Sequence, residues 1–348
     1  MVPVVDLSRR GQRLAGAFGE AAQRVAASGS FLLGAETSAF EREFSTWLTV
    51  PDAVAVSSGA SALQLALAAL GVGPGHEVIL PAFTAVPTAS AVCAVGAVPV
   101  LVDVEAATAN LDCSLIEAAR TERTKAVIVV HLYGRPAEVP DTDLMVIEDA
   151  AQAHGSVGHQ GRSAAVAYSF YPTKNLGGIG DGGAVVTADS ELAATVRRLR
   201  VHGMTEMYVH EQISQNFRMS EVEAAWLRLA LPTLREDNRR RAEIANRYRE
   251  AAPHLRWPEP HPDHVYHQCV VRASDRTAFR ARLAELGVGT GVHYPLAVTQ
   301  QPGYRHFARS ACPQAVAWAA ECVSLPCFPE LTEIEVDHVA EALAGMSS

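Results

Sequence analysis

Lys174 sits in SFYPTKNLGGIGDGGAVV (169–186), after an apolar run and before a turn crowded with glycine. Lysine is ordinarily a solvated surface residue. Phe170, Tyr171 and Pro172 precede this one, a setting that predicts a desolvated amine with its pKa moved toward neutrality. A neutral amine attacks carbonyl carbon. A second stretch, SSGASALQLALAALG (57–71), reads as a strand end, a Ser-Gly turn and a helix start. The free N–H groups and dipole of such a start suit an anion, and an ordinary serine-capped turn is the plainer reading. A third, LMVIEDAAQAHG (144–155), puts Glu148 and Asp149 at the end of an apolar run. An acid placed there holds a metal, a ribose hydroxyl or a protonated ring nitrogen, or simply caps the next helix.

Taken together, the three stretches ask for one ligand with an anionic group, a basic ring nitrogen and a carbonyl. Pyridoxal 5'-phosphate has all three. Lys174 would form the Schiff base and Asp149 would keep the ring nitrogen protonated, so that the ring accepts electrons. Competing motifs are weaker. Gly178, Gly180 and Gly183 spell G-x-G-x-x-G, but the following 184–187 reads as a strand, and a dinucleotide fingerprint needs a helix there. HPDHVYH spaces His261, His264 and His267 three apart, which on a strand sends neighbours to opposite faces rather than to one metal. His210-Glu211 lacks the second histidine of a zinc-protease helix. No metal site is expected.

The elements that must position these residues follow from the hydropathy pattern. Short apolar runs at 53–56, 78–80, 99–102, 126–130, 144–147, 166–170 and 184–187 read as strands, with helices at 60–70, 85–95 and 114–121 between them. Strands apolar on both faces that alternate with helices predict an α/β fold with a mostly parallel, seven-stranded sheet. Beyond residue 190 come charged helical stretches at 191–201 and 221–248. After them come a Pro/His-rich connector, a strand at 265–271, and helices at 277–286, 314–321 and 333–343. We expect a large cofactor-binding domain at 1–235, its N-terminal segment packing on the second domain, and a smaller α+β domain at 236–348.

The 348 residues are 49% hydrophobic, enough for a large core. A net charge of -9 without a basic face argues against nucleic acid, although an anionic substrate stays compatible. Residues 78–102 carry no charge, yet Pro81, Pro87, Gly96 and Pro99 cut the stretch into strand, helix and strand rather than a membrane span. Six cysteines without a C-x-x-C pair, and an N-terminus without a signal-like apolar core, read as reduced thiols in a cytoplasmic protein.

EDAAQAHG, SFYPTKNLGGIGDGGAVVT, HLYGRPAE, GVGPGHEVILPAFT and GTGVHYPL together resemble the DegT/DnrJ/EryC1/StrS family, and the similarity runs from residue 29 to residue 339. The resemblance implies a fold-type-I, pyridoxal-phosphate aminotransferase acting on nucleotide-linked keto sugars. The version carried here looks most like the branch that aminates C3 of dTDP sugars, favoured over the branch that aminates C4, which stays open. Glutamate or glutamine is the implied donor. It also implies that Lys174 bears the cofactor, Asp149 pairs with its ring nitrogen and Gln152 lies by its phenolic oxygen. Ser58, Gly59, Ala60 and Ser169 would hold its phosphate. Asn216 would reach the neighbouring subunit's phosphate, which makes the protein a homodimer with shared sites. Arg218, His293 and Tyr294 are the implied substrate contacts.

Four departures stand out from the family pattern. Ala85 replaces a stacking aromatic, with Phe83 as the nearest stand-in. Ala60 replaces a threonine, for which Ser61 would compensate. Thr299 replaces a histidine. A helix is deleted at 137–143, which would weaken or open one face of the sheet, and the loop before Tyr168 is short. The rival readings are a scyllo-inosose-type cyclitol aminotransferase and a non-catalytic regulator that kept the fold.

Overall fold

The computed structural model describes residues 1–156 and 162–346. Seven strands form the central sheet: β1 (Asp52–Val56), β2 (Glu77–Pro81), β3 (Val98–Val102), β4 (Thr124–Val130), β5 (Met145–Asp149), β6 (Ala165–Ser169) and β7 (Gly183–Thr187). Their order is β1-β7-β6-β5-β4-β2-β3. Only β7 runs against its neighbours, so the sheet is mostly parallel, as the buried-on-both-faces pattern predicts. Every residue of β2, β6 and β7 is buried.

The parallel arrangement gathers the carboxyl ends of β1, β2, β5 and β6 at one edge, where open α/β sheets present ligand crevices. The uncharged stretch 78–102 resolves into β2, the helix Val86–Ala94 and β3. On one face, Leu63, Leu67 and Val92 from the following helices pack on Val54 and Ile128. On the other, Phe40, Phe44, Tyr168 and Phe170 interlock edge to face at 5.2–5.5 Å.

The β4–β5 connection lacks a helix beyond a single 3-10 turn at Leu132–Gly134. The sheet is nevertheless not opened. Extended chain carrying Ala137 and Val139 packs against Ile79, Val127 and Val129, all fully buried. The shortened loop before Tyr168 lies partly at 157–161, outside the described residues.

The C-terminal part builds its own core from Tyr248, Val271, Phe279, Leu283, Leu325 and Val339. Val2 joins that core and pairs with Val288, so the N-terminus packs there. The expected boundary at 235/236 falls inside the helix Leu234–Ala251. Three expectations about elements need correction. The stretch 221–248 is two helices, Glu221–Ala230 and Leu234–Ala251, because Pro232 sits in the 3-10 turn between them. The strand expected at 265–271 is confined to Cys269–Arg272, paired with an unforeseen strand Cys322–Leu325. The N-terminal helices Leu7–Ser28 and Ala35–Leu48 had no strong sequence signal of their own.

Candidate active site

A cavity of about 760 Å³ opens at the carboxyl edge of the sheet. Its floor is built by strand ends. Asp149 closes β5 and Ser169 closes β6, while Ser58 follows β1 and starts the helix Gly59–Ala69. Gly59 and Ala60 line the cavity beside Ser58, and Ala85 lines it at the head of the helix Val86–Ala94. Glycine is required at 59 because a Cβ there would lie 2.5 Å from that of Ser169. The result is a helix N-terminus with bare backbone facing a serine hydroxyl, a suitable cradle for a phosphate.

The chain has two lysines. Lys125 is exposed and Lys174 lines the cavity. Desolvation pushes the Lys174 amine down to about 8, and the charge of Asp149 partly opposes the shift. The cause differs in part from the sequence expectation. Phe170 points into the aromatic core, while Tyr171, half exposed, lines the cavity beside Lys174. The shielding comes from the cavity itself, whose walls include His267, His293 and Tyr294.

Asp149 is buried, and burial raises its pKa. Two donors oppose that rise: the Thr88 hydroxyl on Oδ2 at 2.8 Å and the Ala151 amide on Oδ1 at 3.1 Å. Gln152 is held by the Tyr133 amide on its Oε1 (2.7 Å), and its Nε2 donates to the Tyr294 hydroxyl (3.1 Å). The His293 ring meets Ser324 Oγ at 2.8 Å through Nδ1.

Ten of the residues singled out from the sequence therefore face one space: Lys174, Asp149, Gln152, Ser58, Gly59, Ala60, Ala85, Ser169, His293 and Tyr294. Asn216 and Arg218 do not line it. They lie apart, with Arg218 Nε donating to Asn216 Oδ1 at 2.8 Å, and Asn216 is exposed.

Two suggested stand-ins fail. Phe83 is fully buried against Trp318 and Tyr294, at 6.4 Å from each, and does not reach the cavity. Ser61 is committed to the hydroxyls of Ser57 and Ser58, at 2.9 and 2.8 Å. Thr299 Oγ1 is buried without a hydrogen-bond partner.

Sequence reasoning missed Thr88 and His267. Thr88 lies one helical turn after Ala85 and so shares its face, a signal present in the spacing. His267 was set aside with His261 and His264 as a strand triplet. Residues 261–267 form no strand; His264 packs on Tyr266 and His267 lines the cavity. Gly178 and Gly180 do precede a strand, β7, and no dinucleotide motif forms.

Comparison with known proteins agrees with this geometry. The DegT/DnrJ/EryC1/StrS aminotransferase family profile matches residues 13–344. The chain is 42% identical to the erythromycin biosynthesis sensory transduction protein EryC1 of Saccharopolyspora erythraea, over 98% of each chain. It is 41% identical to a dTDP-3-amino-3,4,6-trideoxy-alpha-D-glucose transaminase of Streptomyces venezuelae, over 98% of this chain and 95% of that one. The crystal structure of S. venezuelae DesV in complex with a ketimine intermediate superposes with a TM-score of 0.93 at 40% identity, covering 99% of this chain and 97% of that one. An amine, an acid and a helix N-terminus gathered on one sheet edge, in a chain that the family profile matches along nearly its whole length, place the protein in the DegT/DnrJ/EryC1/StrS aminotransferase family.

Proposed function

We propose that this aminotransferase moves an amino group from glutamate or glutamine to C3 of a dTDP-linked keto-deoxysugar. It would do so in the cytoplasm, as a homodimer whose sites are shared through Asn216. In this reading residues 1–235 hold the cofactor and 236–348 close over it. No helix among the described residues is long and apolar enough to cross a membrane. One observation carries the reading: a single cavity joins a low-pKa lysine, an aspartate fixed by two donors and a bare helix N-terminus.

Pyridoxal 5'-phosphate fits those residues. Its phosphate matches the amides at Ser58–Ala60 with Ser169, its ring nitrogen matches Asp149, and its carbonyl carbon matches Lys174 Nζ. When bound, it supplies a carbonyl that exchanges nitrogen and a ring that takes up an electron pair. Lys174 Nζ, its pKa lowered toward neutrality by burial, can take the proton from the donor's α-carbon and later return one. The Asp149 carboxyl, whose oxygens accept from the Thr88 hydroxyl and the Ala151 amide, would pair with the ring nitrogen and hold a proton there. Leu63, Val86 and Pro87 give the cavity apolar walls that exclude water.

A cyclitol ketone is a second reading with an observation in its favour. Among the described residues lining the cavity there is one lysine and no arginine. His267 and His293 are both pushed toward the neutral form, in each case first by burial. The described lining of a single copy's cavity thus offers a diphosphate no permanent cation beyond the reactive amine. Mixing the amino-loaded enzyme with a dTDP-3-keto sugar, and separately with scyllo-inosose, distinguishes the two. A dTDP-3-amino sugar detected by mass supports the first reading, and turnover of scyllo-inosose alone replaces it with the second.

A further inference from the structure

Three arginines near the start of the helix Leu7–Ser28 point to two different places. Arg9 lays its guanidinium fork on Glu335, at 2.6 and 2.7 Å, and lies 5.5 Å from the centre of the Phe328 ring. Arg13 does the same on Asp237, at 2.9 Å for both contacts. These partners all belong to residues 236–348. Arg10 turns the other way. It is 6% exposed, and its Nη1 donates to the main-chain oxygens of Lys174 (3.2 Å) and Pro172 (3.4 Å).

The far end of the same helix is anchored on the sheet-bearing part of the chain. Phe18 meets Trp226 edge to face at 5.2 Å, and Ala21 and Val25 bury against Ala225. Trp226 Nε1 in turn donates to the Gly177 oxygen at 2.9 Å. The turn that carries Lys174 is therefore gripped from two sides. A Cβ at Gly177 would lie 2.8 Å or less from the main-chain oxygen and carbon of Pro172, so glycine lets the chain close the turn whose oxygens Arg10 binds. Burying a guanidinium is unfavourable: desolvation pushes its pKa down to about 10, with repulsion from Arg241 adding to the shift and the carboxylates of Glu330 and Asp237 partly opposing it.

We propose that Arg10 is a positioning residue for Lys174: its guanidinium fixes the main chain that presents the amine, and Arg9 and Arg13 tie that hold to the seat of residues 236–348. The proposal rests on the reading of Lys174 as the cofactor-bearing residue. That C-terminal segment supplies His267, His293 and Tyr294 to the cavity wall. A shift of the wall is then felt at the amine through one helix.

The test compares the wild-type holoenzyme with Arg10→Met, Arg10→Lys and the double variant Arg9→Ala/Arg13→Ala. In Arg10→Met we expect kcat to fall about tenfold to a hundredfold while the donor KM stays within about twofold. A loosened turn hydrates the Lys174 nitrogen in its bond to the cofactor and favours its protonated form, so the midpoint of the bound cofactor's visible pH titration moves up. Hydrogen exchange should quicken at the Lys174 and Gly178 amides, which bond the oxygens of Tyr171 and Phe170. Arg10→Lys should recover part of each effect, and the double variant should move all three the same way but less. Wild-type kcat and titration midpoint in folded Arg10→Met overturn the proposal; if that variant does not fold, wild-type values in Arg10→Lys do so. Failure to label Lys174 with borohydride in the wild type removes the underlying reading, while exchange at 171–178 still judges the grip of Arg10 by itself.

Discussion

Thr88 donates its hydroxyl to Asp149 Oδ2 across 2.8 Å, tying the helix after β2 to the last residue of β5. A hydrogen bond to a charged group is worth about 1.5–3 kcal/mol. Thr88→Val keeps the shape and removes the donor, so the Asp149 pKa should rise further. The acid limb of kcat/KM should move to higher pH, and kcat should fall by about tenfold to a hundredfold. An unchanged acid limb would mean that Asp149 needs no help from Thr88.

Lys174 makes a prediction about the cofactor-free protein. Its amine has a pKa of about 8 when folded against 10.5 in the free side chain. Below pH 8 both states bind the proton and the folded state carries the full desolvation penalty, up to about 3 kcal/mol. Between 8 and 10.5 the penalty fades as the folded state sheds its proton first, so stability rises with pH there. Lys174→Met should therefore be the more stable protein in urea at pH 7, with the gap closing by pH 10.5. A gap that stays constant with pH would show that the amine is not desolvated.

Ala85 leaves a wall of the cavity without an aromatic ring, and Phe83 is too deeply packed to fill the place. Ala85→Tyr should hold the cofactor more tightly by about 0.5–1.5 kcal/mol, the worth of one ring contact. Equilibrium dialysis against pyridoxal 5'-phosphate measures it. Weaker binding would show that the small residue makes room for something the cofactor needs.

Asn216 lies away from its own chain's cavity. If it serves the neighbouring copy, Asn216→Ala and Lys174→Ala should each be impaired alone. Mixed after reversible dissociation, they should regain activity, because one site per mixed dimer is then intact. Absence of complementation would assign Asn216 to a structural role.

Much of this was legible because the chemistry sits at strand ends, and strands announce themselves. The all-apolar core of β4 and the run ending at Asp149 fix both an element and the residue that closes it. What escaped depends on contacts distant in sequence. Phe83 lies two residues before Ala85, yet Trp318, far along the chain, decides where its ring goes. Arg10 looks like any arginine on a polar helix until the Lys174 turn is folded against it. Pro232 splits a helical pattern that charge periodicity had run together. The cavity around Lys174 is completed by His267 and His293, nearly a hundred residues or more away, alongside its neighbours Tyr171 and Thr173.

The central claim is a covalent bond between Lys174 Nζ and the carbonyl carbon of pyridoxal 5'-phosphate. Borohydride reduction of the loaded protein, followed by peptide mapping, measures it directly. The added mass should appear on the peptide carrying Lys174 and vanish in Lys174→Ala. A tag on Lys125, or on no residue, would contradict the account.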